Sequence, residues 1–296
     1  MSKERPYIIS QDVGALMKRW SRESGYQVPN QKYFDSMSRD LMSVLSGYFE
    51  STKMLSYEQL GREINRLIKK SSLPVISLDR AYVKSDSKNV VGFLDVNRAV
   101  DENLNNIGVK TRPGFPSVKR QITTIIGSLS NKKEVVIADD VLFGGDTLAR
   151  VAEMLLQQGL VLKKVITGIA IQEGIDKLAS QGIEVESAYI YDEVLDEICE
   201  RDFVGGSPMS GRTVITKSGK AYGAPYFYPF GKPEQWASIP SDKAEEFSLF
   251  CLTQTLIMWE KIERESRSSI PTQAIPKPIF GLKKDRSISK SLRNIK

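Results

Sequence analysis

Two adjacent carboxylates, Asp139 and Asp140, stand two residues before the run Phe143-Gly144-Gly145-Asp146-Thr147. Of all residues in this sequence, these are the best suited by type and spacing to chemistry. Neighbouring carboxylates accept from sugar hydroxyls or hold a hydrated magnesium ion. A glycine turn that opens a helix offers free backbone N–H groups and the positive end of the helix dipole, and both favour a phosphate. A phosphorylated sugar satisfies the two halves together. The flanking sequence supplies the elements that would position them. Val135–Ala138 is a short apolar run with β-branched residues, suited to a strand buried on both faces. After the turn, Leu148, Val151, Leu155 and Leu156 fall at helical spacing, and Asp146 reads as the cap of that helix.

The whole stretch Glu134–Arg150, EVVIADDVLFGGDTLAR, resembles the phosphoribosyl-pyrophosphate (PRPP) motif of the type I phosphoribosyltransferases. The shared pattern is an apolar strand, two acidic residues, two apolar residues, then a small loop running into a helix. The resemblance implies a Rossmann-like parallel α/β sheet. It places the ribose on Asp139 and Asp140, which would be the catalytic carboxylates and hold magnesium, directly or through water. The 5-phosphate would lie on Phe143, Gly144, Gly145, Asp146 and Thr147. Gly144 stands where loops of the family commonly carry Thr, and Asp146 adds a carboxylate beside the phosphate. Family members hold pyrophosphate in a short loop after an early core strand, and two loops here match, Asp79-Arg80 and Asp95–Arg98. Arg98 is preferred to Arg80, with Asp95 beside it, because its strand VVGFL is the more apolar and a cationic fork suits a diphosphate.

Composition excludes several classes. The chain of 296 residues contains no histidine, which removes Ser-His-Asp triads and His-ligated zinc. Its two cysteines, Cys199 and Cys251, are far apart and read as ordinary thiols. The N-terminus lacks the apolar core of a signal peptide and no run is long enough to cross a bilayer, so a cytoplasmic protein without membrane attachment is expected. The net charge of +6 is concentrated in Lys277–Lys296, with seven Lys or Arg against one Asp. That basic tail is expected to be disordered in isolation and to meet a nucleic acid or an anionic protein partner.

Along the chain, residues 1–71 read as a helical addition with helices at Asp12–Glu23, Tyr33–Glu50 and Tyr57–Lys70, the last opened by a Ser56/Gln59 capping box. Residues 72–201 read as the phosphoribosyltransferase-like core. Within it Pro74–Val83 and Asn89–Leu94 are expected as a hairpin, Asp101–Phe115 as a polar loop, Ser117–Leu129 as a helix, and Leu162–Ile171 and Ile183–Tyr191 as parallel strands around a helix. Residues 202–240, rich in Gly, Pro and aromatics, match the place of the variable "hood" that selects the acceptor in the family. Phe203, Tyr226 and Phe227 would stack on that acceptor, with Arg212 as a cation. A long helix at 241–266, capped by Ser241, and a linker with the basic tail at 267–296 complete the chain. Two functions fit this reading. One is a glycosyltransferase-class enzyme that binds magnesium-PRPP, transfers ribose-5-phosphate to an acceptor and releases pyrophosphate. The other is a catalytically reduced PRPP- or nucleotide-binding module in a nucleic-acid-associated defence or regulatory assembly, with oligomerisation open in either case.

Overall fold

The computed structural model describes residues 5–129, 132–283 and 286–295. In chain order the elements are β1 (Tyr7–Ser10), α1 (Val13–Ser24), α2 (Gln31–Ser46), β2 (Thr52–Leu55), α3 (Tyr57–Lys70), β3 (Val75–Ser77), β4 (Val90–Phe93), β5 (Val96–Val100) and β6 (Asn106–Thr111). They continue with α4 (Val118–Gly127), β7 (Glu134–Leu142), α5 (Asp146–Leu156), β8 (Val161–Ile171), α6 (Gln172–Ala179), β9 (Glu184–Tyr191) and β10 (Asp196–Cys199). Last come β11 (Arg212–Ile215), β12 (Ala221–Ala224), α7 (Pro233–Trp236), α8 (Ala244–Glu265) and α9 (Ile288–Arg293). The chain divides into two compact units. A sheet unit holds Leu55–Arg98 and Gly108–Val194, and a terminal unit holds Met1–Met54, Ala99–Ile107 and Leu195–Lys296.

The sheet unit is an α/β body around five strands in the order β4-β3-β7-β8-β9, every pair parallel. The first strand in sequence, β3, thus lies between the second and the third. At such a reversal the connections leave toward opposite sides, which opens a crevice outside the carboxyl ends of the strands. Strand β7 is central because its run Val135–Ala138 is buried throughout. Helix α3 starts where the capping box predicts: Ser56 Oγ accepts from the Gln59 N–H at 3.2 Å and Gln59 Oε1 accepts from the Ser56 N–H at 3.2 Å. Leu60, Ile64, Leu67 and Ile68 form its buried stripe, and the helix packs on β7, β8 and β9. Gly168 of β8 lets it come close, since a Cβ there would lie 3.0 Å from Leu60 and Ile64 side-chain carbons. A second apolar layer joins Ile122 and Ile125 of α4, Leu148, Val151 and Leu155 of α5, and Leu178 of α6 to strand residues including Ile76 and Ile137.

The expected hairpin is overturned: β3 and β4 run parallel. The stretch between them carries the chain back to the start of the sheet, where Asn89 Nδ2 donates to the Ile68 and Ser71 carbonyls at 2.9 and 3.0 Å and ties β4 to the end of α3. The expected loop Asp101–Phe115 also contains a strand, β6, of which only Val109 is buried, so no apolar alternation marks it. Strands β1 and β2 were likewise unmarked.

In the terminal unit β10, β1 and β2 form one sheet, with β1 and β10 parallel. Where those two strands end, buried groups exchange bonds. Glu200 Oε2 accepts from the Asp12 and Val13 N–H groups at 3.2 Å each and so caps α1. Asp12 in turn accepts from the Arg201 N–H at 3.0 Å and pairs with its guanidinium. Helix α8 begins at Ala244 with Lys243 in the cap position, so Ser241 is not its cap. Trp259 of α8 donates through Nε1 to the Gly205 carbonyl at 2.8 Å, deep in an aromatic core.

The basic tail is seated, contrary to expectation. Ile275, Ile279, Ile288 and Leu292 are buried in the same core, α9 packs on α8, and Lys277 lies buried with Nζ donating to the Gly211 carbonyl at 3.0 Å. Its few apolar residues cannot support a fold alone, but α8 and β12 give them a host surface. The Gly223 N–H donates to Pro278 O at 2.7 Å and the Phe280 N–H to Gly223 O at 2.9 Å. A chain ending at Gln273 should therefore lose on the order of 5 kcal/mol or more in urea denaturation, since each buried aliphatic side chain stabilises by ~1.5–3 kcal/mol. A free tail would cost nothing on removal.

Burial raises Asp12 to about 8 against the pull of Arg201. A carboxyl raised on folding contributes stability that is complete below its unfolded value and is lost as pH rises through about 8. Wild type should thus lose stability as pH rises from about 4 to about 8, and Asp12→Asn should flatten that part of the profile in thermal melts. Arg201→Met should cost about 1–3 kcal/mol by leaving the buried Asp12 carboxyl without its guanidinium partner, and should raise that carboxyl further.

Candidate functional site

The carboxyl end of β3 lies beside the middle of β7, just before the acidic pair, because Ser77 pairs with Ala138 and the Leu78 N–H donates to Ala138 O at 2.8 Å. Three carboxylates therefore share this corner, Asp79 just past β3 and the pair Asp139–Asp140 in β7. Each is oriented by backbone. Asp139 Oδ1 accepts from the Asp140 N–H at 3.0 Å, and Asp140 Oδ1 from the Val141 N–H at 2.9 Å. Asp140 is buried and Asp139 half-buried. Burial pushes the Asp139 carboxyl well above the usual range, helped by the charges of Asp140 and Asp79 and opposed by Arg112. A carboxyl so raised can donate as well as accept at a sugar hydroxyl.

The loop after β7 turns at Gly145, whose φ of 81° is left-handed and suits glycine. Gly145, not Asp146, occupies the cap position of α5, and no side chain caps the helix. That overturns the reading of Asp146 as a cap. Asp146 is the first residue of the helix, largely exposed, and its carboxylate is paired with Lys177 of α6. The Lys177 stem also passes over the turn, 3.4 Å from where a Cβ on Gly145 would stand. The same loop rests on α6 at Gly174, where a Cβ would meet Phe143 O at 2.1 Å. Phe143 is exposed, Gly144 and Thr147 are half-buried, and Glu173 Oε1 lies 3.5 Å from the place a Gly144 side chain would begin. The loop thus presents the first N–H groups of α5 and the Thr147 hydroxyl, with the Asp146 charge offset by Lys177.

The two arginines read for a diphosphate differ. Arg98 lies on β5 and is exposed. Arg80 holds buried Asp95 with both ends of its fork, Nε to Oδ1 at 2.5 Å and Nη2 to Oδ2 at 2.8 Å. Its guanidinium also lies 4.3 Å from the Phe93 ring centre and 5.2 Å from that of Phe115. Asp95 is therefore a fixed partner of Arg80, and its backbone N–H donates to Gln121 Oε1 at 2.6 Å.

Phe203, Arg212, Tyr226 and Phe227 belong to the terminal unit. The three aromatics are at most 2% exposed and built into its core, so their rings are packing surfaces and not open platforms for an acceptor. Arg212 lies 4.4 Å from the Trp236 ring centre and 5.9 Å from that of Tyr226. Arg112 and Lys177 were not read from the sequence as site residues, and Asp79 was read only as part of a loop for pyrophosphate. Asp79 carried a usable signal, since VISLD, like VVIADD, ends an apolar run on an acid.

No family model and no curated protein sequence matches the chain. Among solved structures, similarity is found to UMP synthase of Leishmania donovani at 16% identity and a TM-score of 0.30, over 47% of this chain and 28% of that one. Orotate phosphoribosyltransferase of Aeropyrum pernix is similar at 15% identity and a TM-score of 0.23, over 45% and 68%. Adenine phosphoribosyltransferase of Thermoanaerobacter pseudethanolicus is similar at 13% identity and a TM-score of 0.31, over 46% and 80%.

Proposed function

We propose that the sheet unit binds a 5-phosphorylated ribosyl ligand at the carboxyl end of β7, as a phosphoribosyltransferase-like site. One observation carries this: the acidic pair and a glycine-turned helix N-terminus follow one another at the strand-order reversal, where open parallel sheets bind ligands. The N–H groups opening α5 and the Thr147 hydroxyl would take the phosphate, and Asp139 and Asp140 the ribose hydroxyls. As an enzyme of the glycosyltransferase class, the chain would hold PRPP here and transfer its ribose-5-phosphate to an acceptor with release of pyrophosphate. The two carboxylates would then face the positive charge that develops on the sugar.

Magnesium fits only in part. Among the described residues no group of three or more acidic, His or Cys side chains could hold a metal ion. Two carboxylates suffice for a magnesium ion that keeps waters and shares oxygens with a phosphorylated ligand. Bound there, it would neutralise phosphate charge.

A second reading, a nucleotide-binding module with reduced or no transfer, is favoured by the fixed Arg80–Asp95 pair. The exposed cations Lys283, Arg286, Lys290 and Arg293 support the further proposal of an anionic partner, met by a seated surface.

Isothermal titration with ribose 5-phosphate tests the proposal. The double substitution Asp139→Asn with Asp140→Asn should keep the fold and weaken binding about tenfold or more. Unchanged affinity would return the pair to a structural role. Because Asp146 does not cap α5, Asp146→Ala should change stability by no more than about 0.5 kcal/mol. It should also tighten phosphate binding a few-fold, by removing a negative charge and freeing Lys177.

A further inference from the structure

Resting on the ribosyl-phosphate site of that reading, and on its second form without transfer from PRPP, we infer that the site takes a ribosyl ligand with a single phosphate, the nucleoside 5′-monophosphate class, and discriminates against a diphosphate on the anomeric carbon. Orientation comes first. The phosphate loop leans toward the β8 side of β7, where Phe143 O touches Gly174 of α6. A ribose on Asp139 and Asp140 with its 5-phosphate there directs its anomeric substituent the other way. On that side the neighbour of β7 is β3, and the loop facing the substituent is Asp79–Val83.

That loop already holds an anion of its own. The Asp79 carboxylate, 1% exposed, accepts from the Ala81 N–H at 2.9 Å, the Tyr82 N–H at 2.6 Å and the Val83 N–H at 3.1 Å. Three successive N–H groups converging on one anion are what a diphosphate would need, and they are given to a side chain that cannot leave. The one arginine of the loop, Arg80, is bidentate on buried Asp95 and flanked by two aromatic rings, so swinging it to a ligand would strand a buried carboxylate. A diphosphate entering here would meet Asp79, Asp139 and Asp140 with its donors already engaged. A base or other neutral group on the anomeric carbon meets no such repulsion. The 5-phosphate is unaffected, because its N–H groups belong to α5.

The test is a set of titrations of the full chain, with and without magnesium, using ribose 5-phosphate, adenosine 5′-monophosphate, PRPP and inorganic pyrophosphate. The expected result is that ribose 5-phosphate and the nucleotide bind, PRPP binds about threefold or more weaker than ribose 5-phosphate, and pyrophosphate displaces neither. Asp79→Ser should release the three N–H groups and raise the preference for PRPP about tenfold or more. If that variant does not fold, the wild-type ratio decides alone. A wild-type affinity for PRPP equal to or above that for ribose 5-phosphate, or displacement by pyrophosphate, overturns this inference and leaves the ribosyl-phosphate site standing. Failure of ribose 5-phosphate itself to bind overturns both.

Discussion

A carboxylate at the end of a buried parallel strand has lost water on both faces and must find donors in the backbone that follows it. In the sheet unit this constraint is met in two ways on neighbouring strands. Past β3 the chain curls so that three N–H groups converge on Asp79, which is thereby complete. Within β7 the chain stays extended, and Asp139 and Asp140 each accept from the N–H of the next residue. The first arrangement builds a closed loop and the second sets an acidic pair along the strand at a crevice. The difference follows from what comes next in sequence. Arg80-Ala81-Tyr82-Val83 can fold back over Asp79, whereas Val141-Leu142 continues the strand and pairs with Ile169 and Ala170 of β8.

Parallel pairing sets the end of β3 beside the acidic pair of β7. Because β7 lies between β3 and β8, the loop after β3 and the N-terminus of α5 sit on either side of the same acidic pair. Helix α6 then fixes the phosphate loop from the β8 side through Gly174 and Lys177. Lys177 also answers the problem posed by Asp146 in the sequence. The carboxylate does not turn into a cap; it is drawn to an ammonium from the next helix, so the loop keeps its N–H groups for another acceptor.

The parts of this arrangement that were legible in the sequence are those written in local patterns. The β7–loop–α5 stretch is a long apolar strand, a glycine turn and a helical stripe, and α3 carries its capping box in four residues. Strands β8 and β9 carry apolar residues broken by charged ones and were legible near their observed limits. What escaped depends on partners distant in sequence. Strands β3 and β4 are too short to reveal their direction, which Asn89 and the end of α3 decide. The pairing of Lys177 with Asp146, and of Arg80 with Asp95, spans residues that no periodicity connects. The resemblance offered the aromatics of 202–240 as ligand platforms, and packing in the aromatic core with α8 makes Phe203, Tyr226 and Phe227 core residues.

The fate of the basic tail turns on the same distinction between local and borrowed stability. Judged alone, residues 277–296 have too few apolar side chains to offset the entropy of ordering. Seated on α8, they need bury only one side of the segment, since the helix supplies the other. Lys277 shows how a cation joins such a core: its stem fills the space left open by Gly223, whose absent Cβ would lie 2.9 Å from Lys277 Cγ, and its ammonium reaches a carbonyl. Glu260 and Glu263 of α8 add polar anchors to Arg293 and Ser289. Composition could report the charge of the segment, but whether that charge hangs free or lines a surface depends on α8, whose apolar residues face more than one side. A helix apolar around much of its circumference requires cover from several directions, and the end of the chain provides one of them.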